Sequence, residues 1–176
     1  TRAECRDGSV SEFTYHDIWK DTVATTSLPF RCKVCPDSIG ESADMAVSDT
    51  WLGGSPTEEM LQPGADDGTN TIIARTNRGL ELMESAINDG ALVNEREIQI
   101  REMDLYQPHQ VFAKQAVWAR LQGLESTGQL VPKAEGLRIK EIADEQTENF
   151  IRNQTEGTRE RVRMGKAQEP SPVERL

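Results

Sequence analysis

The sequence predicts an α/β fold: a mixed sheet with flanking helices, continued by a helical extension at the C-terminal end. Three observations predict it. Short β-favouring stretches bounded by Gly, Asp and Pro recur through the first hundred residues. Leu80, Met83, Ala86 and Ile87 then stand at helical spacing on one face. Beyond about residue 105 the strand signals stop and amphipathic helical patterns take over.

In chain order, Thr1 to Gly8 reads as a strand running into a turn, and Val10 to Trp19, Ala43 to Val47 and Asn70 to Arg75 read as strands. Asn77 is placed to cap a helix through Asn88, with Gly90 supplying the stop. Between the last strand pair, Thr50 to Gly68 is rich in Gly, Pro, Ser and acid and is expected to be a long surface loop, where functional groups are often found. Pro108 suits the first turn of a helix through Leu124, with Val111, Phe112, Gln115, Trp118 and Leu121 as its stripe. One further helix is expected from Leu137 to about Arg152. Asn153 to Leu176 has almost no apolar residues and reads as a fraying or docking tail. The organisation predicted is therefore 1–105 as a domain, 106–152 as a helical extension and 153–176 as a tail, with the core confined to the first two-thirds.

Of the 176 residues, 36% are hydrophobic and 28% charged, enough for a modest core that leaves part of the chain solvated. A formal charge of -10 argues against nucleic acid or an anionic membrane as partner, because both need clustered Lys and Arg. No apolar run approaches the roughly 20 residues of a membrane span. Three cysteines, two of them close together, argue against a secreted disulfide scaffold and for a reducing, cytoplasmic home. Small molecules and proteins remain as partners.

The chemistry concentrates in Arg31-Cys32-Lys33-Val34-Cys35-Pro36-Asp37. Two thiolates at this spacing can face one metal or cluster, and the spacing suits zinc, an iron–sulfur cluster or a redox dithiol about equally. A thioredoxin-like dithiol is expected at the start of a helix after an apolar strand. Pro29 and Pro36 instead place this pair in a turn between extended segments, which favours a metal or cluster loop. Arg31 and Lys33 make its surroundings electropositive, which favours a ligand role over a pair of buried hydrophobes. Four ligands are usual and the third cysteine, Cys5, reads as structural, so the site is one or two ligands short. His16 and His109 stand apart from carboxylates and cysteines and read as surface residues. Asp44 and Asp49 are expected on opposite faces of a short strand, and neither a paired acid/base dyad nor a Ser-His-Asp set can be assembled, so no catalytic residue is assigned.

The ordered set Arg31-Cys32, Cys35-Pro36-Asp37, Gly40-Glu41, Ala43-Asp44, Val47-Ser48-Asp49, Trp51-Leu52-Gly53-Gly54 and Ile72-Ile73-Ala74-Arg75-Thr76 resembles the C-terminal domain of the coenzyme F-420 hydrogenase/dehydrogenase beta-subunit family. Gly79-Leu80-Glu81-Leu82 and Gly90-Ala91-Leu92 extend the likeness, which covers about residues 1 to 105. The resemblance implies an iron–sulfur flavoprotein oxidoreductase holding a 4Fe-4S cluster and FAD, passing electrons to a deazaflavin-like or other organic acceptor. It also implies a preceding N-terminal domain, absent from this chain, that supplies further cysteines and much of the flavin site. The chain alone is then expected to be inactive and to carry these cofactors only in the intact protein.

On that reading Cys32 and Cys35 are cluster ligands, while Asp49, Trp51, Gly53, Gly54 and Arg75 line the cofactor. Asp49 ends a strand and opens the long loop, and glycines there let backbone amides approach a phosphate or ring closely. The alternative for Asp49 is a turn cap. Trp51 either stacks on a flavin or packs as a core or lid residue. Arg75 either holds an FAD pyrophosphate or a substrate carboxylate, or pairs with Glu41 or Asp44. The rival to the whole reading is a non-catalytic structural or interaction domain with a zinc or free-thiol CxxC.

Overall fold

The computed structural model describes residues 2–14, 29–62, 64–65 and 68–168. Its architecture is α/β, with the strands arranged as two separate antiparallel pairs rather than one mixed sheet among the described residues. The first pair is a small hairpin of β1 (Arg2–Glu4) and β2 (Val10–Glu12). Its turn is closed by the Cys5 amide donating to the Ser9 carbonyl at 2.9 Å, with Gly8 at φ +83°. The predicted strand is thus present at Val10–Glu12, and residues 15–19, with His16, lie outside the described residues.

The second pair is β3 (Met45–Asp49) and β4 (Asn70–Ala74), in register from Met45 opposite Ala74 to Asp49 opposite Asn70. The expected strand at Ala43 to Val47 is shifted two residues on, while the one at Asn70 to Arg75, rich in β-branched residues, is one residue shorter than expected. Between them the described residues of the long loop form only a single 3₁₀ turn, Leu52–Gly54, and irregular turns.

The cysteine segment departs from expectation. Instead of lying between extended segments, Phe30–Lys33 winds into a one-turn helix, α1, carrying Cys32, and Cys35 follows it directly. Pro29 supplies the N-terminal φ of -52° that starts this turn. The apolar residues that flank Cys32, Phe30 and Val34, turn inward and join the main core, which anchors the loop from below.

Helix α2 (Asn77–Asn88) has the predicted bounds, but its N-cap is Thr76 rather than Asn77: the Thr76 hydroxyl accepts from the Gly79 amide at 3.2 Å. Gly79 presses on the sheet so closely that a Cβ there would lie 2.2 Å from the Asp44 carbonyl oxygen. A short helix absent from the sequence expectation, α3 (Ile100–Tyr106), begins at a capping box of Gln99 and Glu102.

Helix α4 (Pro108–Glu125) confirms the next assignment. It is buried around most of its circumference, which explains why a single stripe describes it poorly: Phe112 is 44% exposed, while Lys114, Ala116, Val117, Ala119 and Gly123 are buried. The expected single helix over 137–152 is two. Helix α5 (Ile139–Asp144) stops, and Thr147 caps a new helix, α6 (Glu148–Arg163), its hydroxyl accepting from the Phe150 amide at 3.2 Å. The stretch from Asn153 is therefore not a fraying tail up to Arg163. It packs on α4, where a Cβ on Gly123 would meet the Thr155 carbonyl oxygen at 2.7 Å and the Thr155 hydroxyl donates to the Ala119 carbonyl at 3.1 Å. Residues 169–176 lie outside the described residues.

The core is correspondingly displaced from the expected first two-thirds. It consists of Val117, Leu121, Leu124 and Ile139 with Val34 from the cysteine loop, lined by partly buried Phe30, Trp118, Leu137 and Val162. Among the described residues no helix is long and apolar enough to cross a membrane.

Candidate functional site

Two places bring the predicted residues together. The first is the cysteine loop. Cys32 is exposed, Cys35 is half-buried, and both are free thiols. They are not a buried hydrophobic pair. The loop is held from the C-terminal helices by Arg120, whose Nη1 donates to the Lys33 carbonyl between the two cysteines at 2.9 Å and whose Nε donates to Gln154 Oε1 at 3.0 Å. Its guanidinium carbon also sits 5.7 Å from the centroid of Phe112, which makes an edge-on contact with Phe150 at 5.5 Å. Burial, assisted by the like charge of Arg161, pulls the Arg120 pKa below the usual guanidinium value.

Downstream, Asp37 closes the loop by accepting from the Ser42 amide at 3.0 Å and from the Glu41 amide. Burial pushes the Asp37 pKa up, but these amides, the Ser42 hydroxyl and the charge of Lys114 outweigh it and hold the carboxyl below its ordinary value. Among the described residues no three His, Cys, Asp or Glu side chains converge as a metal site. The two thiols are the soft donors that a metal or cluster could take as two members of a larger ligand set.

The second place is a cavity of about 670 Å³ between the β3/β4 pair, the 38–40 turn and helices α3 to α5. Of the predicted cofactor residues it takes Asp49 and Arg75 but not Trp51, Gly53 or Gly54. Arg75 does not pair with Glu41 or Asp44. Glu41 is bound by the buried Lys114 ammonium, and Asp44 accepts from the Thr76 hydroxyl at 2.6 Å. Arg75 Nη2 instead donates to the Ile39 carbonyl at 3.0 Å, and its buried Nε has no partner among the described residues. Asp49 lines the cavity, and its backbone carbonyl accepts from Gln107 Nε2 at 2.9 Å.

The glycine pair has a different task. Gly53 and Gly54 both have positive φ, +81° and +78°, and the Gly54 amide donates to the Trp51 carbonyl at 2.9 Å. A Cβ on Gly54 would stand 3.0 Å from the His109 ring, so this glycine seats the start of α4, whereas the space beside Gly53 is open. His109 is exposed, as expected, with one ring edge on Gly54. Sequence reasoning missed Lys114, Gln107 and Arg120. The signal available was a lysine at 114 and an arginine at 120 in a helix whose only acid, Glu125, stands at its far end, since charges held against a core need a partner.

Comparison with known proteins adds one finding to this geometry. Neither the curated proteins nor the solved structures contain a match to the chain. A family model describing the C terminus of the beta subunit of coenzyme F420 hydrogenase/dehydrogenase matches residues 1–99, which include the cysteine loop, both strand pairs and α2. That match spans more than half of the sequence and points to part of a redox enzyme, in which a C-terminal domain works with partner domains or subunits. The chain belongs to the C-terminal-domain family of the coenzyme F420 hydrogenase/dehydrogenase beta subunits.

Proposed function

We propose that this chain is the C-terminal part of an iron–sulfur flavoprotein oxidoreductase. Cys32 and Cys35 supply two thiolates to a 4Fe-4S cluster, and a partner domain or subunit supplies the other ligands and most of an FAD site. Exposed Gly53 and half-buried Trp51 offer the flavin a turn, and Asp49 and Arg75 line the cavity, which takes the organic electron acceptor. The observation that carries this reading is the loop itself: two free thiols, the outer one exposed to solvent, fixed beneath by Phe30 and Val34 in the core and by Arg120 on the intervening carbonyl.

When bound, the cluster and flavin supply the one- and two-electron chemistry. The chain's own residues do the placing. Arg120 holds the Lys33 carbonyl and so the backbone between the two thiols. Asp37 fixes the turn that follows. The Lys114–Glu41 pair locks that turn to α4, so the cysteine loop and the cavity are built on one rigid support.

The test is anaerobic purification of the full-length gene product, wild type and Cys32→Ser/Cys35→Ser, with visible spectroscopy and assays of iron, sulfide, flavin and zinc. Iron, sulfide and FAD in the wild type, with iron lost from the double variant, is the expected result. A colourless protein carrying zinc, or nothing, would overturn the electron-transfer reading in favour of a structural domain.

A further inference from the structure

We infer that the 670 Å³ cavity binds a small organic monocarboxylate, its apolar body among Ala46, Ile73, Met103 and Val111 and its carboxylate on Arg75. As the identity of the electron acceptor this rests on the redox reading above; as a binding site it stands on the cavity alone. The volume lies within the range of small-molecule sites, about 300–1,000 Å³. Much of the wall comes from residues 103–142, outside the family match, so the cavity belongs to this chain's own combination of sheet and helices.

Arg75 is the group that asks for a ligand. A half-buried guanidinium normally has a carboxylate or several acceptors, yet among the described residues this one has a single neutral carbonyl, and the two nearby acids are committed to Lys114 and Thr76. The buried Ser38 hydroxyl in the same wall also lacks a partner among the described residues. The cavity's charge selects the kind of anion. Lys114 is neutralised by Glu41, while Asp49 and Asp104 stand exposed at the rim. Arg75, a cation without a counter-ion among the described residues, lines one end of the cavity, and Asp49, opposite Asn70 at the other end of the strand pair, adds negative charge to the rim; this suits a ligand with a single negative charge over a phosphate dianion. The rim acids can accept hydrogen bonds from a donor at the ligand's other end.

The experiment titrates naphthalene-1-acetate and its neutral amide, naphthalene-1-acetamide, into the full chain, followed by calorimetry and saturation-transfer NMR. The acid is expected to bind wild type about 10–100-fold tighter than the amide, the worth of a charge-assisted hydrogen bond pair. Arg75→Gln should bring the acid to the level of the amide, and Val111→Trp, which fills the cavity, should weaken both. The acid-to-amide ratio on wild type needs no variant and so survives any misfolding of one. Equal binding of acid and amide, an acid preference that persists in Arg75→Gln, or tighter binding of naphthyl phosphate than of the acetate would each overturn the proposal. No cluster or flavin is needed, so failure here leaves the cysteine assignment standing, and a zinc-bearing protein that still prefers the acid keeps the site while discarding the redox reading.

Discussion

The family-matched region, residues 1–99, and the helical region after it divide the labour unevenly. The first carries the cysteine loop, the glycine turn and Arg75, but β1 and β2 are exposed throughout, and α2 leaves Leu80 and Leu82 at 41% and 61% exposure. The second carries little that reads as chemistry, yet Val117, Leu121, Leu124 and Ile139 are each 5% exposed or less. A two-stranded pair with one helix cannot bury enough apolar surface to hold itself, so stability has to come from a neighbour. Here α4 supplies it, reaching back through Arg120 to the Lys33 carbonyl, through Lys114 to Glu41 and, from the residue that precedes it, through Gln107 to the Asp49 carbonyl. The residues which name the family and the residues which hold its loop in place are different sets.

The sharpest way to break this division is a pair of truncations. Leu121→Ala, in the helical core, should cost about 2–5 kcal/mol, whereas Leu82→Ala on α2 should stay within about 0.5 kcal/mol. Denaturant midpoints of the two variants decide it, and comparable losses would show that the family-matched region owns a core of its own. A smaller effect tests the link between regions. Glu41→Gln strands the Lys114 ammonium, which is 6% exposed, and should cost up to about 3 kcal/mol, the low end for breaking a buried pair because the Glu41 side chain keeps 28% exposure. Lys114→Met in the same background should recover most of it, and a failure to recover would mean that the pair is not the link.

The smallest expected effect is acid sensitivity at the cysteine loop. Asp37 has a folded pKa below its unfolded value, so its carboxylate contributes stability that is fully present above the ordinary value of 3.8 and is lost as pH falls through the lowered one. Melting temperatures of wild type and Asp37→Asn at pH 7 and near pH 3 should therefore differ more at pH 7. A constant difference would assign the turn to the backbone rather than to the charge.

Much of the local structure was legible in the residues. Strand β4, the bounds of α2 and the start of α4 at Pro108 follow from β-branching, helical period and the fixed φ of proline, all of which act over a few residues. The break between α5 and α6 was written in Thr147 and Glu148 but was masked by apolar residues at helical spacing on either side, Ile139, Ile142 and Ala143 before it and Phe150 and Ile151 after. Of the candidate site, the CxxC spacing and the family resemblance singled out the thiol pair, and the end of a strand singled out Arg75. What put Asp49 and Arg75 in one cavity, Trp51 and Gly54 outside it, and Arg120 on the loop between the cysteines was the docking of α4 across the sheet.

Residue order alone thus carries the family, part of the short-range structure (β4, α2 and the start of α4) and the residue types available for metal and anion chemistry. The packing of the helices on the sheet sets where the core lies, which acids are spent on Lys114 and Thr76, and that Arg75 has no acid partner among the described residues. The physical reason is that charge pairing and burial depend on contacts such as Glu41 with Lys114, 73 positions apart, that no local period encodes.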